Sequence, residues 1–165
     1  MTTNNSSVNW RAFLVNYAPL LLWIGVIFFL SSPEGSFGQT SRIIGPLLNF
    51  FFPEMPEATR ASIHGLVRKA AHFTEYAVFA FLAVRAFSAT ASLFVRQRSY
   101  PFAFVLVVMI ASLDEFNQSF ESSRTSSIWD VLLDITGGLV MIATLLLCRK
   151  VFLPTANSQK PEAGT

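Results

Sequence analysis

Ser112-Leu-Asp-Glu-Phe-Asn-Gln-Ser-Phe-Glu-Ser-Ser-Arg-Thr-Ser-Ser-Ile-Trp-Asp-Val-Leu-Leu-Asp134 joins two long apolar runs. It carries Asp114, Glu115, Glu121, Asp130 and Asp134, five of the ten acidic residues in the chain. A plain loop between two hydrophobic helices needs only a few polar residues. Carboxylates set a turn or more inside both flanking segments point instead to a site.

The apolar runs on either side set the class. The third run starts at Pro101 and needs Asp114 to Ser119 to reach spanning length; the fourth runs from Trp129 to Cys148. Two more precede them, Ala12 to Leu30 and roughly Arg68 to Phe87. A bilayer core about 30 Å thick takes about 20 helical residues. The expected fold is all-α: a polytopic membrane protein with four transmembrane helices in a bundle, spanning about 12–30, 68–87, 101–119 and 129–148. Residues 10–150 form the membrane domain, flanked by a polar N-terminus (1–9) and a polar tail (151–165) that read as disordered. The first run follows Arg11, exceeds a usual signal h-region and lacks a small-residue cleavage pattern, so it reads as a retained span. In the first connector, Ile43 to Phe52 is apolar but too short to span, so it reads as an amphipathic surface or re-entrant piece. Pro56-Glu57 looks like a helix start, with Pro at the first helical position.

Composition agrees. Apolar residues make up 52% of the 165-residue chain and charged residues 13%, which is the membrane range. The net charge of +2 comes without any dense Lys/Arg block, so nucleic acid is not an expected partner. The single cysteine, Cys148, excludes an internal disulfide and a Cys-based zinc site, and reads as a small packed residue. With four spans, Arg11, Arg96, Arg98, Arg149 and Lys150 fall on one side, which the positive-inside rule makes the cytoplasm. Arg42, Arg60, Arg68, Lys69 and Arg124 on the other side make the bias imperfect. Both termini are therefore expected in the cytoplasm, with the protein in the bacterial inner membrane.

Depth locates the site. At about 1.5 Å per residue, Asp114 lies about 21 Å above Tyr100, and Asp134 about 21 Å above Cys148. Glu75 lies about 18 Å and His72 about 22 Å above Phe87. Three helices thus place ionisable groups at one level in the outer half of the bilayer. Lys69, His72 and Glu75 or Tyr76 share a helical face, as do Asp114 and Glu115 with Gln118, and Asp130 with Asp134. A charge near the membrane centre costs roughly 2.5–3.5 kcal/mol, so these groups should face one another or a wet cavity. Arg124, Lys69 and Arg68 are the expected counter-charges.

Each group has two readings. His72 and Glu75 are a proton-transfer pair or metal ligands, or else a packing hydrogen bond. Asp114, Glu115 and Asp130 are general acids and bases, or else salt-bridge partners, with Asp130 capping its helix. Arg124 holds a phosphate or carboxylate, or else neutralises its acidic neighbours. The catalytic candidates are His72, Glu75, Asp114 and Glu115. The ligand-binding set is Lys69, His72, Glu75, Tyr76, Asp114, Glu115, Gln118, Arg124, Asp130 and Asp134. No H-E-x-x-H, phosphate loop or nucleophile elbow is present, and the repeated Glu-x-x-His of carboxylate-bridged metal bundles is missing. No metal and no cofactor are expected. The Phe-rich runs read as lipid-facing or core.

Lys69-x-x-His72-Phe73-x-Glu75-Tyr76, Asp114-Glu115-x-x-Gln118-x-Phe120, Arg124 and Asp130-Val131-x-x-Asp134-x-x-Gly137, with Trp23 and Ser31-Ser32 at the first span, resemble the VanZ-like family. The likeness covers about residues 10–150. Two positions depart from the family pattern: Ser122-Ser123 stands where the family usually has Pro-Gly, and Asp134 where it often has Asn. The resemblance implies a four-span cell-envelope protein associated with teicoplanin-type antibiotic resistance. It implies no particular reaction. The expected function is binding of a lipid-linked cell-wall precursor or lipophilic glycopeptide alongside membrane lipids. The alternatives are an intramembrane enzyme, acid/base or metal-assisted, and a structural or assembly subunit of a membrane complex.

Overall fold

A computed structural model describes residues 10–32, 38–120 and 127–152. They form α1 (Trp10–Ser31), α2 (Gly38–Phe51), α3 (Glu57–Ser88), α4 (Leu93–Gln97), α5 (Ser99–Gln118) and α6 (Ile128–Phe152). Among the described residues there is no strand.

Four cross-contacts fix the directions of the long helices. Near the start of α1, the Val15 carbonyl accepts from Arg85 near the end of α3 (3.2 Å), so α1 and α3 are antiparallel. At its other end, Ser31 accepts from Gln118 at the end of α5 (3.3 Å), so α1 and α5 point the same way. Phe87 of α3 packs on Phe102 of α5, ring centroids 6.1 Å apart. Glu115 of α5 accepts from the backbone N–H of Ser127, just ahead of α6 (3.2 Å). The result is an up-down-up-down bundle of α1, α3, α5 and α6.

α3 is its axis, touching each of the other five helices. Its 32 residues run about 48 Å. Pro56 is the N-cap and Glu57 the first helical residue, one position later than the sequence reading. The N-terminal third of α3 is largely exposed, and burial begins in earnest at His72. From there Tyr76, Phe79, Ala80, Ala83 and Ala86 are fully buried against Ala103, Val107 and Ala111 of α5. Small residues let the backbones approach closely, which is how helices associate where lipid removes the hydrophobic drive. Gly137 and Gly138 of α6 extend this logic. A Cβ on Gly137 would collide with the Phe73 backbone of α3, and one on Gly138 with the Val107 side chain of α5. Adjacent glycines thus seat α6 on both neighbours.

Three helices are long and apolar enough to cross a membrane: Phe13–Ser31, Ser99–Gln118 and Ile128–Lys150. Arg68, Lys69, His72, Glu75 and Arg85 keep α3 below that standard of composition. Large apolar side chains such as Leu22, Phe29, Met109, Leu113 and Leu147 stand exposed on the outer faces. Such a sheath suits lipid rather than water. Cys148 is exposed on this surface, not packed as its apolar surroundings implied. α2, with 14 residues, is about 21 Å long and too short to span; it lies against α3. Leu47, Phe50 and Phe51 on it are exposed.

Candidate functional site

The polar layer is assembled one helix at a time. α3 contributes His72, Glu75 and Tyr76, spaced so that one face carries all three. α5 contributes Asp114, Glu115 and Gln118, and α6 contributes Asp134. α1 closes the layer with Ser31. All eight are buried; Asp114 is 0% exposed, Asp134 1%, His72 7% and Glu75 8%.

Gln118 organises one side. Its Nε2 donates to Asp114 Oδ2 (3.0 Å) and to Ser31 Oγ (3.3 Å). His72 Nδ1 and Asp134 Oδ1 are 3.5 Å apart. That is ion-pair range and long for a hydrogen bond. Trp23 of α1 donates from Nε1 to the Glu75 carbonyl (3.0 Å), which fixes α1 to α3 beside the layer. His72, Asp114 and Asp134 each turn one ligand-type atom inward, all within 4.8 Å of one another. Yet Asp114 Oδ1, both Asp134 oxygens and Glu75 Oε1 are buried without a hydrogen-bond partner. An unpaired buried charge costs several kcal/mol on the order of magnitude, and an unpaired polar atom about 1–3 kcal/mol. So concentrated a set of idle acceptors is a local conflict of the kind found at functional sites.

The sequence set is largely brought together, with two corrections. Lys69 is exposed and Arg68 half-buried, and neither pairs with a described acid. They are not the internal counter-charges expected. Instead they line a cleft of about 140 Å³ with Gly65, His72, Asp130 and Leu133, so His72 stands between cleft and layer. Asp130 lies in the first turn of α6 and does not cap it. Ser127 does, its Oγ accepting from Trp129 N–H (3.2 Å). The backbone N–H of Ser127, which an acid at Asp130 would take in a capping box, goes to Glu115 of α5. Arg124 and Glu121, with the Ser122-Ser123 departure, lie outside the described residues. Ser127 escaped the sequence reading although Ser127-Ile-Trp-Asp130 has the spacing of a capping box ahead of an apolar run. The His72–Asp114–Asp134 convergence had no comparable signal, because each helix supplies one residue.

The sequence profile of the VanZ/LLP1 family matches residues 16–149, which reaches from within α1 to within α6 and takes in all of the polar layer. The chain belongs to the VanZ/LLP1 family. No curated protein and no solved structure matched it. Membership together with three apolar spanning helices makes this a multi-pass membrane protein. Within this VanZ-like chain, the buried layer and the adjoining cleft are where its polar chemistry is concentrated.

Proposed function

We propose that this VanZ-like protein binds the anionic head of a lipid-linked envelope component, or a lipophilic glycopeptide, and contributes to teicoplanin-type resistance. The observation that carries this reading is the cleft between Arg68 and Lys69 on α3 and Asp130 and Leu133 on α6, with His72 also in its lining. Two cations at its wall suit a phosphate or carboxylate, and the apolar outer faces suit a lipid chain. In this reading α3 is a fourth span, both termini are in the cytoplasm of a bacterial inner-membrane protein, and the layer lies in the outer half of the bilayer. Antiparallel packing of α3 along α1 and α5 supports the fourth span, and the clustering of Arg96, Arg98, Arg149 and Lys150 supports the orientation. Arg124 joins the binding set from the segment between α5 and α6.

The test is teicoplanin susceptibility of a deletion strain complemented with the wild type, Glu75→Ala, Arg124→Ala or the Arg68→Ala/Lys69→Ala pair. Each variant should insert at normal levels and leave the strain as susceptible as the deletion. Unchanged susceptibility on deletion would remove the resistance reading.

The convergence of His72, Asp114 and Asp134 also favours a second reading, an intramembrane enzyme acting on a lipid or peptide substrate. It requires turnover by purified protein that Asp114→Asn abolishes.

A further inference from the structure

We propose that His72, Asp114 and Asp134 bind a first-row divalent cation, of the Zn²⁺ or Mn²⁺ type, at the meeting point of α3, α5 and α6. Their ligand-type atoms already lie within 4.8 Å of one another. His72 Nδ1 and Asp134 Oδ1, 3.5 Å apart, match the roughly 3.4 Å edge of a tetrahedron with metal–ligand bonds of about 2.1 Å.

A second observation points to a ligand independently of the cluster's composition. Both Asp134 oxygens and Asp114 Oδ1 are buried without a donor, on side chains more than nine-tenths buried. Glu75 Oε1, on the same face of α3 as His72, is idle too. Arg68 and Lys69 do not supply the missing charge, since both stand at the cleft outside, which leaves His72 alone against two carboxylates. A dication answers two carboxylates at once and occupies their free lone pairs. Gln118 then has the role of an outer partner, holding Asp114 through Oδ2 and leaving Oδ1 to ligate.

One imidazole nitrogen and two carboxylate oxygens select the ion. Ca²⁺ takes six to eight oxygens, and Mg²⁺ keeps most of its water, whereas Zn²⁺ and Mn²⁺ accept a mixed set of this size. Three protein ligands also leave a position open, as in catalytic rather than structural sites. Of the three ligands, His72 also lines the cleft.

The site stands whether or not the cleft holds an envelope ligand, because metal content is read without antibiotic or lipid substrate. Full-length protein, purified in detergent without chelator, should carry about one equivalent of Zn or Mn per chain by elemental analysis. Stripping with a chelator should lower the melting temperature, and Zn²⁺ or Mn²⁺, but not Mg²⁺, should restore it. His72→Gln and Asp134→Asn should each weaken binding by at least roughly tenfold. Should a variant fail to fold, stripping and reloading of the wild type decides alone. Wild-type protein that holds neither metal and melts unchanged with added Zn²⁺ and Mn²⁺ overturns the proposal. So does undiminished binding by a folded double variant.

Discussion

Arg85 of α3 donates to the Val15 carbonyl of α1 at 3.2 Å, and that carbonyl is the one Pro19 leaves without its helical donor. Proline has no N–H, so residue i−4 loses its partner, and within lipid the loss is not made good by water. The positive charge near the end of α3 thus repairs the break in α1 and ties the two helices together. Arg85→Met should destabilise the protein by about 0.5–1.5 kcal/mol. In a Pro19→Ala background the Ala N–H returns to Val15, and the same Arg85 change should cost clearly less. Thermal melting of the four proteins in detergent gives the coupling directly. Equal losses in both backgrounds would show that Arg85 does not serve that carbonyl.

Gly137 and Gly138 make a second, differential prediction. Gly→Ala in a helix interior gains about 1 kcal/mol of intrinsic preference. At Gly137 the new methyl meets the Phe73 backbone, which cannot turn aside, and overpacking of about 1–3 kcal/mol outweighs the gain. At Gly138 it meets the Val107 side chain at 2.7 Å, a buried β-branched group with little freedom to turn, so overpacking offsets the gain there too, though less than against backbone. Melting temperatures should fall for both variants, and further for Gly137→Ala. Because Phe73 follows His72, the Gly137 variant should also disturb the polar layer.

The class and the layer were legible because each follows from one dimension. Apolar run lengths against bilayer thickness give the helices, and rise per residue gives the depth at which His72, Glu75, Asp114 and Asp134 meet. What was not legible depends on rotation about each helix axis. Lys69 shares a row with His72, yet Lys69 is exposed and His72 is buried, since a row says nothing of where the neighbouring helix lies. Capping of α6 by Asp130 is one of two readings its position allows, but Ser127 holds that place and Glu115 arrives from another helix. The His72–Asp114–Asp134 group has no spacing signature, since its members are 42 and 20 residues apart in the sequence.

The cap on α6 can be tested where it joins α5. Ser127→Ala removes the side-chain acceptor for Trp129 N–H and should cost about 0.5–2 kcal/mol. Ser127→Asp supplies an equivalent acceptor at the positive end of α6 but sets a second carboxylate beside Glu115. It should therefore recover only part of the loss in the wild type. In a Glu115→Gln background, Ser127→Asp should recover more of it. A recovery independent of residue 115 would show that Glu115 does not share this helix start.

The orientation of the bundle yields the last prediction, read by thiol labelling in intact cells. Cys148 is exposed, so it is first replaced by Ser to give a silent background. If α3 crosses the bilayer with α1, α5 and α6, then Ser122→Cys reports the side on which the polar layer opens, and Arg96→Cys the opposite side. An impermeant reagent should label Ser122→Cys from outside at once, and Arg96→Cys only after the cells are opened. The reverse pattern would place the layer toward the cytoplasm and remove the outer-leaflet ligand from the proposed function. Because α5 joins the two sites, labelling of both from outside would mean that α5 does not span. The position of α3 is read separately. Glu54→Cys, ahead of α3, should share the exposure of Ser122→Cys while Arg96→Cys remains protected. Protection of Glu54→Cys together with labelling of Ser122→Cys would put both ends of α3 on the cytoplasmic side. It would also leave three spans, formed by the helices whose composition alone permits crossing.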